Sequence, residues 1–156
     1  FIVNDRPDIA VASGAHGVHL GQEDLPAAAV RRMVPASCIV GVSTHTIEQV
    51  RAAADQAPDY IAVGPMFESS TKPQAHIAGP ATLAAARAQT ALPLVAIGGI
   101  TAENAATVLA AFRCCLCVCQ AVIAQPDVTA AVRRLRDVVD RAVEAADGPS
   151  AKEKRT

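Results

Sequence analysis

Asn4, Asp5 and Asp24 follow closely on two short apolar runs, in FIVND and GVHLGQED. Carboxylates at neighbouring strand ends can hold Mg²⁺ through a few oxygens while a diphosphate supplies the others. An NDRPD turn, with Asp24 capping a helix beside Pro26, accounts for the same residues without a metal. Spacing leaves both open. Ser69-Ser70-Thr71-Lys72 comes after the run ending GPMF. Hydroxyls with a Lys can bind phosphate oxygens, although a solvated Ser/Thr-rich turn is the commoner meaning of such a stretch. The continuation KPQAHIAGP is irregular enough to predict a mobile active-site loop. Gly98-Gly99 closes PLVAI and leads into Thr101. Paired glycines allow backbone N–H groups close approach to a phosphate, or form a tight turn with no ligand.

Two further groups carry less. His45, in STHT, could move a proton or could simply bond to backbone at a helix start. No G-x-S-x-G elbow marks Ser43 as a nucleophile. Of five Cys, four crowd into CCLCVC at 114–119. Cys115, Cys117 and Cys119 would share one face of a strand, whereas tetrahedral zinc sites use C-x₂₋₄-C spacing. Small buried hydrophobes are therefore expected rather than metal ligands.

The elements that must hold these groups alternate. Apolar, β-branched runs at 1–5, 17–20, 39–43, 60–65, 93–99 and 115–120 predict strands buried on both faces. Ala-rich helical patterns lie between most of them. One begins at Asp24 with Pro26 in its first turn, and Thr46 and Gln49 have capping-box spacing before VRAAADQA. Others cover 80–90 and 101–111, with Thr101 as the expected N-cap. The last runs from about Asp127 to Ala145, with Val128, Val132, Leu135, Val139 and Ala142 on one stripe. Residues 1–145 are expected to form one domain, and 146–156 a polar C-terminal tail.

Strand–helix alternation implies a parallel sheet, doubly wound or closed as a barrel. A doubly wound sheet gathers its ligand groups at one switch point. Here nearly every strand ends in polar or Gly residues, as a shared barrel mouth requires. An α/β fold of the (β/α)₈ TIM-barrel type is expected, incomplete at about six of eight units and corresponding to strands 3–8. Of the 156 residues 51% are hydrophobic and 19% charged, and the net charge is -1. Without a basic excess, neither nucleic acid nor an anionic membrane is an expected partner. The start FIVND reads as a chain entered mid-strand rather than a signal peptide, so a reducing, cytoplasmic setting is expected.

NDRPDIA, GAHGVHLGQEDLP, GVSTHT, DYIAVGPMFESSTKP and VAIGGITAENA, in this order, closely resemble the thiamine phosphate synthase family from Phe1 to about residue 111. The resemblance implies a (β/α)₈ barrel and Mg²⁺. It implies condensation of hydroxymethylpyrimidine diphosphate with thiazole phosphate, in which the pyrimidine methylene loses diphosphate and the thiazole nitrogen attacks. By motif, Asn4 would contact the pyrimidine diphosphate, and Asp5 and Asp24 would bind Mg²⁺. Ser43 would lie near the pyrimidine diphosphate and Lys72 would grip its diphosphate. Ser69 and Thr71 would contact the thiazole side, and Gly99 would offer a backbone donor to the thiazole phosphate. Lys72, Asp5 and Asp24 are the expected catalytic residues.

Three departures from the family pattern accompany this. Two βα units expected ahead of Phe1, which carry a Gln-x-Arg-x-Lys grip, are not in the chain. Ser69 stands where a Thr is usual. AFRCCLCVCQAVI replaces AGADGV and a small-residue phosphate loop, with Phe112 and Arg113 for Gly-Ala and Gln120 for a Ser. Two other functions compete. A thiazole tautomerase on the same barrel would use His45 and leave Asp5, Asp24 and Lys72 little purpose. A non-catalytic piece of the synthase would expose two strand edges that pairing into a homo-oligomer could cover.

Overall fold

The computed structural model describes residues 1–69 and 76–147. The chain order is β1 (Ile2–Asn4), α1 (Pro7–Ser13), β2 (Gly17–Leu20), α2 (Ala27–Val30), β3 (Ile39–Thr44), α3 (Ile47–Ala54) and β4 (Tyr60–Val63). There follow α4 (Gly79–Arg87), β5 (Leu94–Ile97), α5 (Ala105–Ala111), β6 (Cys115–Cys117), α6 (Gln120–Ile123) and α7 (Val128–Asp147). All five pairings are parallel and the sheet order is β1-β2-β3-β4-β5-β6. A doubly wound sheet would reverse its order at a switch point. Strict sequence order is the arrangement of a barrel wall, as expected.

Register separates two faces. Leu20, Val42, Ile61 and Leu94 lie in one row across β2–β5, all buried beneath the helices. Val50 and Ala53 of α3, Leu83 and Ala86 of α4, and Val108 of α5 cover them. The opposite, concave face is less closed than the expected burial on both sides: Val95 and Ile97 are half-buried, and Ile2 and Ile39 are exposed. Helices cover the convex face of the six strands, while the concave face stays open to solvent along the cleft described below.

Local signals settle the helix ends. Thr46 caps α3, its Oγ1 accepting from the Gln49 amide at 3.3 Å, and Gln49 Oε1 accepts from the His45 amide at 2.7 Å. The capping-box spacing is thus realised, with the return bond one residue early. Elsewhere the expectations need correction. NDRPD is more than a turn, because Pro7 begins α1 and Gly14, at φ 64, ends it in the left-handed conformation. Helix α2 starts at Ala27 rather than Asp24, and Asp24 is not its cap. Asn104, not Thr101, is the N-cap residue of α5. Thr101 instead accepts the Glu103 amide at 3.2 Å in a preceding turn. Strand β6 stops at Cys117, so Cys119 precedes α6 and does not share a strand face with Cys115.

The last helix forms as expected, and the Ala130 amide donates to Asp127 Oδ1 at 2.9 Å at its start. Of the proposed stripe, Leu135, Val139 and Ala142 are half-buried, but Val128 and Val132 are exposed. The helix packs chiefly along α5 and α6, and its first two turns meet little apolar surface. The expected tail lies outside the described residues from 148 onward. Among the described residues no helix is long and apolar enough to cross a membrane.

Candidate active site

A cleft of about 820 Å³ opens at the C-terminal ends of the strands. Its wall includes Asn4 and Asp5 at the end of β1 and Cys117 to Ala121 at the end of β6, so the first and last strands face the same cavity. Asn4, Asp5, Asp24, Ser43, Ser69 and Gly99 all line it, drawn from five separate segments of the chain. Thr71 and Lys72, with the rest of the expected mobile loop up to residue 75, lie outside the described residues.

Each of these groups is set by its backbone. Asp5 has φ 66, a left-handed conformation that costs a non-glycine residue about 1 kcal/mol or more and concentrates at functional sites. It is held there because its amide donates to the His19 carbonyl at 2.8 Å, continuing the β1–β2 ladder. Asp24 closes a tight turn after β2, its Oδ2 accepting the Gly21 amide at 2.6 Å. A carboxylate locked through one oxygen presents the other in a fixed direction. The Asp5 and Asp24 carboxylates, with Glu23 on the same cleft wall, form a hard oxygen donor set that suits Mg²⁺. Among the described residues no three His, Cys, Asp or Glu side chains converge as a cage. A cation at Asp5 and Asp24 would therefore complete its shell from an anionic ligand and water, which is the usual habit of Mg²⁺.

Across the cleft, Gly98 and Gly99 have φ 91 and 66. A Cβ on Gly99 would lie 2.5 Å from the Glu68 carbonyl oxygen, and one on Gly98 would lie 2.6 Å from Pro65 Cβ. Only glycine fits this close contact between the β4 and β5 exits. The Phe67 amide donates to the Gly98 carbonyl at 3.1 Å, and Asn104 Nδ2 donates to the Gly99 carbonyl at 2.9 Å. Packing thus requires the glycine pair whether or not a phosphate binds. His45 also lines the cleft, and its Nδ1 lies 2.6 Å from the Gly64 carbonyl. A carbonyl only accepts, so Nδ1 carries a proton.

Sequence reasoning missed a chain of side chains inside the wall. His19 Nδ1 lies 2.9 Å from the Tyr60 hydroxyl and its Nε2 lies 2.8 Å from Ser43 Oγ. The His19 and Tyr60 rings stack with centroids 5.6 Å apart. Asn4, His19, Gly41 and Tyr60 occupy one register row across β1–β4. The missing side chain at Gly41 creates the gap, since a Cβ there would fall 2.0 Å from the Tyr60 ring. Burial lowers the pKa of His19 more than the nearby Asp24 charge raises it. Burial, helped by Cys117, raises that of Tyr60. A His interrupting the apolar run GVHL was the one available signal. Gln22 adds a 2.5 Å bond from its amide to the Ser43 carbonyl.

The Cys cluster does not behave as small buried hydrophobes. Cys115, Cys117 and Cys119 are exposed, Cys114 is half-buried, and only Cys38, far from the cluster in sequence, is buried. The reason is position: β6 is an edge strand with a neighbour on one side.

A six-stranded parallel barrel wall with its polar groups collected at the strand exits defines a TIM-barrel-type enzyme. Solved structures agree. The chain superposes with a TM-score of 0.84 and 33% identity on the thiamine phosphate pyrophosphorylase of Pyrococcus furiosus, covering 92% of this chain and 69% of that one. A 3-hexulose-6-phosphate synthase, at TM-score 0.65 and 19% identity over 85% of this chain and 66% of that one, shares the fold alone. The family model described as thiamine monophosphate synthase matches residues 1–122. The chain belongs to that family. Thiamine-phosphate synthase of Methanospirillum hungatei is 46% identical over 89% of this chain and 68% of that protein. That of Methanoculleus marisnigri is 49% identical over 88% of this chain and 65% of that protein. The chain thus spans about two thirds of the length of these relatives.

Proposed function

We propose that this chain provides the catalytic cleft of a thiamine phosphate synthase, which joins hydroxymethylpyrimidine diphosphate to thiazole phosphate with loss of diphosphate. The observation that carries it is the meeting of Asn4, Asp5, Asp24 and Ser43 with Ser69 and Gly99 around one cavity. Asp5 and Asp24 would hold Mg²⁺, and Asn4 and Ser43 would bind the pyrimidine diphosphate. Bound there, Mg²⁺ supplies Lewis acidity toward the departing diphosphate. Lys72 adds a positive charge to the same group. The C–O bond between the pyrimidine methylene and the diphosphate breaks, and the thiazole nitrogen forms the new C–N bond. Ser69 and Thr71 orient the thiazole, and the Gly99 backbone receives its phosphate. No protein nucleophile is needed, so Ser43 binds rather than attacks. The setting we infer is the cytoplasm.

Formation of thiamine phosphate from both substrates tests this, with Mg²⁺ and then with excess chelator. Turnover that persists in chelator would overturn the mechanism. Asp24→Ala should abolish Mg²⁺-dependent turnover, and wild-type activity in that variant removes the metal assignment. His45 in the cleft wall favours one second reading, a thiazole tautomerase with His45 as proton shuttle. Isomerisation of the thiazole without any pyrimidine substrate would select it.

A further inference from the structure

We propose that Tyr60 and His19 act as a positioning relay that fixes the Ser43 hydroxyl as a hydrogen-bond donor into the cleft. This rests on the proposed reading of the cleft as a diphosphate site and extends it to two residues that do not themselves touch the diphosphate.

The argument follows proton direction along the chain. A neutral imidazole has one donor and one acceptor nitrogen, so the two contacts of His19 must run in the same sense. Tyr60 lies 2.9 Å from Nδ1 and Ser43 2.8 Å from Nε2. A phenol is far more acidic than an aliphatic hydroxyl, which makes Tyr60 the better donor and the worse acceptor of the two. The favoured sense is therefore Tyr60 O–H to Nδ1, then Nε2–H to Ser43 Oγ. Ser43 has one proton and, accepting from His19, must direct it elsewhere. His19 and Ser43 both line the cleft, so that proton faces the space an anionic oxygen would enter. The opposite sense would leave Ser43 presenting lone pairs to the cleft, which repel a diphosphate.

The rest of the wall holds the relay still. Gly41 gives the Tyr60 ring its place, the stacked rings fix the imidazole plane, and the Gln22 amide bonds the Ser43 carbonyl at 2.5 Å. The charged and titratable groups facing the relay are Asp24, toward His19, and Cys117, toward Tyr60.

The test combines ¹⁵N NMR of His19 with calorimetric binding of inorganic diphosphate in the presence of Mg²⁺. Wild-type protein should show the neutral Nε2–H tautomer, and Tyr60→Phe, which keeps the ring, should shift His19 toward a tautomer mixture. Diphosphate binding should weaken about five-fold in Tyr60→Phe and in Ser43→Ala, as expected for one hydrogen bond. The double variant should lose little more than Ser43→Ala alone. An Nδ1–H tautomer in wild-type protein, or fully additive losses, would overturn the relay. If the tautomer and its shift are found but diphosphate binds to none of the proteins, the relay stands and the diphosphate reading of the cleft falls.

Discussion

The centre of the sheet and its β6 flank are built from similar residues and end very differently. Strands β2–β5 with α3, α4 and α5 bury Val40, Ile61, Val63, Val50, Leu83 and Val108 completely, each at 0% exposure. Helix α6 buries nothing, Ile123 is 69% exposed, and Val128 and Val132 of α7 are 46% and 47% exposed. Composition does not explain this, for AVI and VTAAV are as apolar as the central helices. Neighbours do. A central strand has a partner on both sides and helices that bridge to the next unit, whereas β6 pairs only with β5 and α7 leans on α5. The same flank carries the AFRCCLCVCQ departure from the family pattern. The other edge fares better, since α1 still buries Pro7 and Ala10. A sheet edge therefore weakens an element without stripping it of all burial.

The largest effect that would test the contrast comes from Ile61→Ala, which should cost about 2–5 kcal/mol in a urea titration because it opens a cavity among fixed neighbours. A loss below 1 kcal/mol would mean that the centre is not the rigid part. Next, Gly41→Ala should cost about 1–3 kcal/mol by overpacking against the Tyr60 ring, and should break the Tyr60–His19 stacking seen by NMR. On the flank, Val132→Ala should change stability by less than about 0.5 kcal/mol. If it matches Ile61→Ala, the flank is covered in solution by something that packs on α7.

The smallest effect is a pH dependence rooted in the centre. His19 has a pKa lowered from 6.5 by burial, so the unfolded chain takes up its proton first as pH falls. Its neutral form supports the fold above 6.5, and stability drops as pH falls through that value toward the lower folded pKa. His19→Gln should flatten this slope in the centre.

Much of this was legible. Six apolar runs became six strands, and four of them were expected too long at the C-terminal end. Gly64-Pro65 and Gly98-Gly99 continue the apolar pattern past the ladder, yet they turn out of the sheet to line the cleft. Helix α1 was hidden because NDRPD reads as a turn and its helix has only 7 residues. Among the site residues, Asn4, Asp5, Asp24, Ser43, Ser69 and Gly99 could be picked by type and by place at strand ends. The His19–Tyr60 pair could not, as the partners are 41 residues apart and meet only over a glycine.

The sequence by itself determined the alternation of strands and helices, the parallel sheet and the end of it at which polar groups gather. Those follow from period, turn chemistry and the polarity of strand exits, which are local properties. Tertiary structure alone decided which side chains touch. Register across three strands set His19, Gly41 and Tyr60 in a row, and curvature brought the ends of β1 and β6 to one cavity. It also decided that three of the four clustered Cys are exposed. Burial depends on what lies beside a strand, and no residue carries that information in its own identity.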